Sequence, residues 1–240
     1  YLHFMEFLDP LIKGKLIKRY KRFMADVELE NGDVVTAHCA NSGSMKSVNE
    51  PGSEVWISPA RNPDRKLKFT WELLRVGDAW VGVNTAHPNK LVFDAIADGT
   101  IVELQGYDTQ RREVKYGKNS RIDILLENAD GTKCYIEIKN VTMKRNLDKS
   151  EPAEFPDGVT ARGAKHLVEL TDMVAKGHRA VMLYLVQRDD SDAFNLARDI
   201  DPEYGDAYDK ATAAGVEVIG YTCKLDEKEI NITHRVQALG

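Results

Sequence analysis

Asp123, Glu137 and Lys139 are two carboxylates and an amine in a pattern that suits metal-assisted chemistry at a phosphate. Ser120-Arg121-Ile122-Asp123-Ile124-Leu125-Leu126 and Cys134-Tyr135-Ile136-Glu137-Ile138-Lys139 read as the two strands of a hairpin. Side chains on a strand repeat every two residues. That period predicts an oily face of Ile122, Ile124, Leu126, Cys134, Ile136 and Ile138, and it gathers Asp123, Glu137 and Lys139 on the other. Mg²⁺ and Mn²⁺ are hard ions that prefer oxygen, so Asp123 and Glu137 suit either of them, with the Ile138 carbonyl completing the protein ligands. Lys139 would orient or help deprotonate an attacking water, and Glu113, one strand back in the polar register, would add a metal contact. The same alternation also describes an ordinary hairpin with one wet face, on which Glu137 and Lys139 form a surface pair worth little.

The elements that must position these residues fall into two groups. Residues 1–85 read as short strands and turns: Leu16 to Tyr20, Phe23 to Leu29, a turn at Asn31-Gly32, Val34 to Cys39, Glu54 to Ser58, Trp71 to Leu74 and Trp80 to Val83. Asn-Gly between strand-like runs is a hairpin signal, and about five such strands predict a small barrel of the oligonucleotide-binding (OB) type. Asn41-Ser42-Gly43-Ser44-Met45 is a small polar loop within it. Residues 86–240 alternate helix and strand, which predicts an α/β layer arrangement. Asn89 is expected to cap a helix through Asp98, with Gly99 as its stop, and Thr100 to Leu104 to form a short strand. Arg112 to Tyr116 leads through the turn Gly117-Lys118-Asn119 into the Asp123 strand. Thr142 to Gly158 reads as a polar loop. Thr160 caps an amphipathic helix to Lys176, with Leu167, Leu170 and Val174 inward and Arg162, Lys165, His166 and Glu169 on the polar side. Arg179 to Gln187 is a strand buried on both faces, followed by a helix from Glu203 to Ala214 and a strand from Val216 to Thr222.

With 240 residues the chain is long enough to bury a full core, and its composition is that of an ordinary globular protein: 42% hydrophobic, 30% charged, with a mean hydropathy of −0.41. No apolar run reaches the length of a bilayer span and no secretory signal pattern is visible, so no membrane partner is expected. Cys39, Cys134 and Cys223 are odd in number and form no CxxC pair, which argues against a zinc ribbon or a disulfide framework and for a reducing cytoplasm. Tyr1 to Phe4 precede a Met and carry no functional weight. The net charge of −5 argues against a generally basic nucleic-acid binder. Its distribution is uneven, however. Lys13, Lys15, Lys18, Arg19, Lys21 and Arg22 form one basic cluster, with Tyr20 and Phe23 interleaved as stacking platforms or as buried aromatics, and Arg61, Arg65, Lys66 and Lys68 form another. No P-loop, GxGxxG frame or placeable Ser/His/Asp arrangement occurs.

Six blocks in order resemble the sugar fermentation stimulation protein A (SfsA) family: Arg19 to Phe23, Asn41 to Met45, Glu113 to Gly117, Ser120 to Asp123, Glu137-Ile138-Lys139 and Phe155 to His166. The acidic part also resembles the PD-(D/E)xK nuclease superfamily, from which it departs in having Ile122 where a proline usually precedes the acid. The resemblance implies an N-terminal OB-like β-barrel followed by a restriction-endonuclease-like α/β domain, and it implies DNA binding. It assigns Asp123, Glu137 and Lys139 the acid, acid and lysine roles, with Mg²⁺ or Mn²⁺ as cofactor. Lys18, Arg19, Lys21, Arg22, Arg162, Lys165 and His166 are the expected nucleic-acid contacts; Arg162 and His166, four apart on one helical face, would point toward the metal or a DNA phosphate if the helix packs beside the sheet, or lie on a solvated face behind a Thr160 cap. Three functions remain open on the sequence: a metal-dependent nuclease, a non-catalytic DNA-binding regulator of sugar (maltose) metabolism genes, and a sugar- or nucleotide-responsive module.

Overall fold

The computed structural model describes residues 5–117 and 120–240; Tyr1 to Phe4 and the turn positions Lys118 and Asn119 lie outside the described residues. The first unit is a closed barrel. Strands β2 (Ile12–Tyr20), β3 (Met24–Leu29), β4 (Val34–His38), β5 (Glu54–Pro59) and β6 (Phe69–Val76) pair in the order β4-β3-β2-β5-β6, and a parallel contact between β4 and β6 at Ala37↔Phe69 closes the ring. Leu16, Ala25, Val27, Ala37, Val55, Ile57 and Trp71 fill its interior. Alternate residues of each strand point inward, as closure of a small barrel requires. Strand β7 (Ala79–Gly82) returns along β6 as a hairpin.

The second unit is built on a mixed sheet in the order β1-β15-β14-β12-β10-β9-β8. Its strands are β1 (Met5–Glu6), β8 (Thr109–Tyr116), β9 (Ser120–Glu127), β10 (Lys133–Val141), β12 (Arg179–Val186), β14 (Glu217–Leu225) and β15 (Glu229–Arg235). β12 lies parallel between β10 and β14. It is covered on both faces: Val181, Leu183 and Leu185 pack in the cluster that contains helix α1 (His87–Ala97), while Ala180, Met182, Tyr184 and Val186 pack in the cluster that contains helices α2 (Ala161–Ala175) and α3 (Pro202–Ala213). Strands β11 (Ala153–Phe155), β13 (Ala193–Leu196) and β16 (Gln237–Ala238) form a small parallel sheet at the side. Cys39, Cys134 and Cys223 are all buried thiols. Among the described residues, no helix is long and apolar enough to cross a membrane.

Four expectations about elements are corrected. α1 starts at His87 with Ala86 as its N-cap, because Pro88 fits the first turn where no N–H is needed, and Asn89 is therefore inside the helix. Thr100 to Leu104 is not a strand: Gly99 turns the chain with φ +86°, and Val102–Leu104 forms a 3₁₀ turn that buries Ile101 and Leu104, three residues apart. The stretch from Thr142 to Gly158 contains β11 and buries Met143 and Lys144, so it is a built segment rather than a free loop. On α2, His166 and Glu169 are buried, because they lie on the stripe Gly163, His166, Leu167, Leu170, Met173 that faces the sheet.

Candidate metal centre and cleft

Asp123 sits where β9 and β10 part. Their antiparallel register runs from Lys133↔Glu127 to Ile136↔Ile124 and ends there. The next facing pair would be Glu137 and Asp123. Instead the Asp123 carboxylate enters the gap, and its Oδ2 accepts a hydrogen bond from the Ile138 backbone N–H at 2.7 Å. On the opposite side the β8–β9 ladder skips Glu113, whose φ is +55°. A left-handed non-glycine residue reverses the local side-chain direction and breaks the two-residue alternation. At the same level of β9, Ile122 packs with the α2 cluster while Ile124 and Leu126 pack with the α1 cluster. The expected single oily face is thus split at the acid.

Asn89 on α1 fixes the other Asp123 oxygen, its Nδ2 donating to Oδ1 at 2.8 Å and more weakly to Glu113 Oε1 at 3.4 Å. Burial, and after it the negative charge of Glu137, raise the Asp123 carboxyl to about 6; the Ile138 N–H, Asn89 and Lys139 act the other way. Glu137 is 3% exposed. Burial opposes its charge, but hydrogen bonding from His166 and the charge of Lys139 outweigh that and hold its carboxyl below the usual range. Lys139 Nζ donates to Glu137 Oε1 at 2.9 Å. His166 Nδ1 donates to the same oxygen, which leaves its Nε2 to accept from Arg162 Nε at 3.4 Å. Glu137 Oε2 is buried and has no hydrogen-bond partner among the described residues.

Asp123, Glu137, Ile138, Lys139, Arg162 and His166 line one cleft of about 350 Å³ between the barrel and the sheet. The donor chemistry there fits a hard divalent ion: two adjacent carboxylates, one with an uncommitted buried oxygen, and a backbone carbonyl between the second acid and the lysine. Among the described residues no group of three or more His, Cys, Asp and Glu is arranged around a common metal position. An ion held by Asp123, Glu137 and the Ile138 carbonyl alone would have its remaining positions filled by water or phosphate, as Mg²⁺ commonly does.

Residues 17–83 match the SfsA N-terminal OB domain, and residues 86–229 match the sugar fermentation stimulation protein RE domain. The chain belongs to the SfsA family. A sugar fermentation stimulation protein homolog of Rhodospirillum rubrum is 59% identical over 229 residues, covering 92% of this chain and 94% of that one. Another, of Paramagnetospirillum magneticum, is 58% identical over 228 residues and covers 95% of both chains. The solved structure of Pyrococcus furiosus SfsA in complex with Ca²⁺ superposes with a TM-score of 0.87 over 98% of this chain and 97% of that chain, at 22% identity. The fold is accordingly that of SfsA, an OB barrel followed by a restriction-endonuclease-like α/β domain.

Other site residues of this SfsA family member lie outside the cleft. Glu113 reaches Asp123 only through Asn89. Lys18, Lys21 and Arg22 are exposed around the β2–β3 turn, where Lys21 and Arg22 have φ of +48° and +64°. Arg19 is committed to the barrel: its guanidinium donates to the carbonyls of Asn41 (2.9 Å), Gly43 (2.8 Å) and Ser44 (3.2 Å). Lys165 Nζ donates to Ser120 Oγ at 3.1 Å. Sequence reasoning missed Asn89 as the tether of Asp123, because an Asn before an apolar run reads as a cap. It also missed Asp157 as the residue that joins the two units, although the blocks carrying Asp157 and Asn41 to Met45 had been singled out.

Proposed function

We propose that this protein binds DNA and hydrolyses its phosphodiester bonds at a Mg²⁺ or Mn²⁺ site formed by Asp123, Glu137 and the Ile138 carbonyl. The observation that carries the reading is the carboxylate pair of Asp123 and the buried Glu137 beside Lys139 at the point where β9 and β10 separate, with Glu137 Oε2 unpartnered among the described residues. Lys139 and His166 offset the charge of Glu137, but Asp123 stays raised by burial and by Glu137, and a divalent ion beside it relieves that. The Ca²⁺ of the Pyrococcus furiosus relative is a hard ion of the same class. When bound, the ion polarises a phosphoryl oxygen and lowers the pKa of a coordinated water.

The chain's own residues do the rest. Lys139, held by Glu137 and within 3.3 Å of His166, directs its amine into the cleft, where it orients the attacking water and offsets charge growing on the phosphate. His166 holds Glu137 in place through its Nδ1. Arg162 at the cleft wall contacts a phosphate oxygen. Lys18, Lys21 and Arg22 outside the cleft add contacts to the DNA backbone that weaken with salt. The cytoplasm, where DNA is met, is the location that goes with this function.

Purified protein is expected to degrade labelled DNA with Mn²⁺ or Mg²⁺ and to stop when the ion is chelated. Lys139→Ala should lower the cleavage rate by about 10²-fold or more while leaving DNA binding intact. Binding without turnover on any DNA would discard the enzyme and leave the regulator of sugar metabolism genes.

A further inference from the structure

We propose that the cleft accepts an unpaired DNA strand and excludes the duplex from the acid–lysine site; the inference rests on the nuclease reading above. The wall facing Asp123 and Glu137 is the barrel loop from Ala40 to Met45, and it is strapped at both ends. At one end Thr85 N and Oγ1 both donate to the Ala40 carbonyl, at 3.0 and 2.6 Å, and Asn41 Nδ2 donates to the Val83 carbonyl at 3.1 Å. These bonds tie the loop to the segment that leads into α1. At the other end Ser44 Oγ donates to the Asp157 carbonyl and Met45 N donates to Asp157 Oδ2 at 2.7 Å, which ties the loop to the α/β domain. Gly43 lies so close to this junction that a Cβ there would stand 2.9 Å from Asp157 Oδ2. Arg19 holds the middle of the loop from behind through three carbonyls.

A second junction resists opening of the cleft. β7 bridges to the end of β12 at Val81↔Arg188, with Gly82 N donating to the Gln187 carbonyl at 2.9 Å and Trp80 N to Asp189 Oδ1 at 2.9 Å. The space left between the walls is about 350 Å³. That enclosed part, next to the acids, is at the small end of the roughly 300–1,000 Å³ of pockets that enclose drug-sized ligands, so one nucleotide rather than two paired backbones can reach the acids. Glu137 and the His166 that holds it are deep in it, 3% and 5% exposed, while Asp123 and Lys139 are half-buried at its floor.

Charge points the same way. The cleft lining carries the cations Lys139 and Arg162 against Asp123, Glu137, Glu154 and Asp157. A duplex presents one phosphate charge about every 1.7 Å on two strands and needs cations along both. One phosphate at a divalent ion, with Lys139 and Arg162 beside it, is what this lining can neutralise. In the reaction the water oxygen bonds to phosphorus and the phosphodiester P–O bond breaks. One water proton ends on the released sugar hydroxyl, and the hydroxyl of the water stays on the phosphate.

The test uses the full chain with Mn²⁺ and three labelled DNAs of one sequence: a single strand, a blunt duplex, and a duplex carrying a single-stranded tail. A duplex must be unpaired before one strand can enter, so the blunt duplex should be cut at least about tenfold more slowly than the single strand, and cuts in the tailed DNA should fall in the tail. Cleavage within paired DNA as fast as in the single strand overturns the proposal while leaving the nuclease reading intact. Absence of cleavage on all three sinks the nuclease reading instead. Fluorescence anisotropy in Ca²⁺ then decides the substrate form, with tighter binding of the single strand expected and equal or tighter duplex binding overturning it. Asp157→Ala combined with Ser44→Ala, which removes both bonds of the strap, should raise duplex cleavage relative to the single strand, and an unchanged ratio counts against the strap as the excluding wall.

Discussion

Asp123 is held in a state that costs stability. Its carboxyl is raised to about 6 by burial and by Glu137, from an ordinary value of 3.8. A folded-state pKa above the unfolded one means that the folded protein holds this proton more tightly, so the associated stability is present below about pH 4 and lost as pH rises through about 6. Asp123→Asn is therefore expected to raise Tm near pH 7.5 without added metal, by a stabilisation of about 1–3 kcal/mol, and to change it little near pH 4. Calorimetry at the two pH values checks this, and an equal shift at both would refute it. His166 acts on the same site through Glu137. His166→Ala should lower kcat for DNA cleavage by about 10–100-fold with a KM close to wild type, as loss of an orienting partner does, and steady-state kinetics separates that from loss of DNA affinity.

The loop from Asn41 to Ser44 depends on Arg19 more than on its own residues. A planar guanidinium can serve three carbonyls at once, which a lysine ammonium at the end of a flexible stem cannot do in the same geometry. Arg19→Lys should therefore speed proteolysis of this loop and slow cleavage, while leaving the salt dependence of DNA binding unchanged. Lys21→Ala and Arg22→Ala should do the reverse: each should lower the slope of log affinity against log salt by about 1, with the loop intact. Binding titrations across a salt series distinguish the two behaviours. A loss of slope in Arg19→Lys would make Arg19 a DNA contact rather than a loop support.

The barrel and the α/β domain meet through the Asp157 strap, the Val81↔Arg188 bridge with its Gly82–Gln187 hydrogen bond, and the Glu72–His87 contact of 2.7 Å. They are expected to unfold in one cooperative transition with equal calorimetric and van't Hoff enthalpies, and two resolved transitions would show the contacts to be weak. Gly82 belongs to this seam, since a Cβ there would overlap the Gln187 side chain. A bound ion stabilises the folded state by mass action and must displace the Asp123 proton. Mn²⁺ should therefore raise Tm more near pH 7.5 than near pH 5, and a pH-independent shift would place the ion elsewhere.

Much of this protein was legible in its chain because the signals are local. Hairpin periodicity identified β9 and β10, the run from Val181 to Val186 identified a strand buried on both faces, and Thr160 identified the start of α2, where its Oγ1 accepts from Gly163 N. Asp123, Glu137 and Lys139 were named from types and spacing alone. What the chain did not reveal depends on partners far away in sequence. The oily face of β9 splits at Asp123, Asn89 leaves a cap role to hold Asp123, and His166 turns inward because Glu137 waits on a strand 29 residues earlier. Spacing records which face of an element a side chain takes, but only the packed structure determines what it meets there. The closed cleft is the clearest case, since its wall requires Met45 and Asp157, 112 residues apart, to share one hydrogen bond.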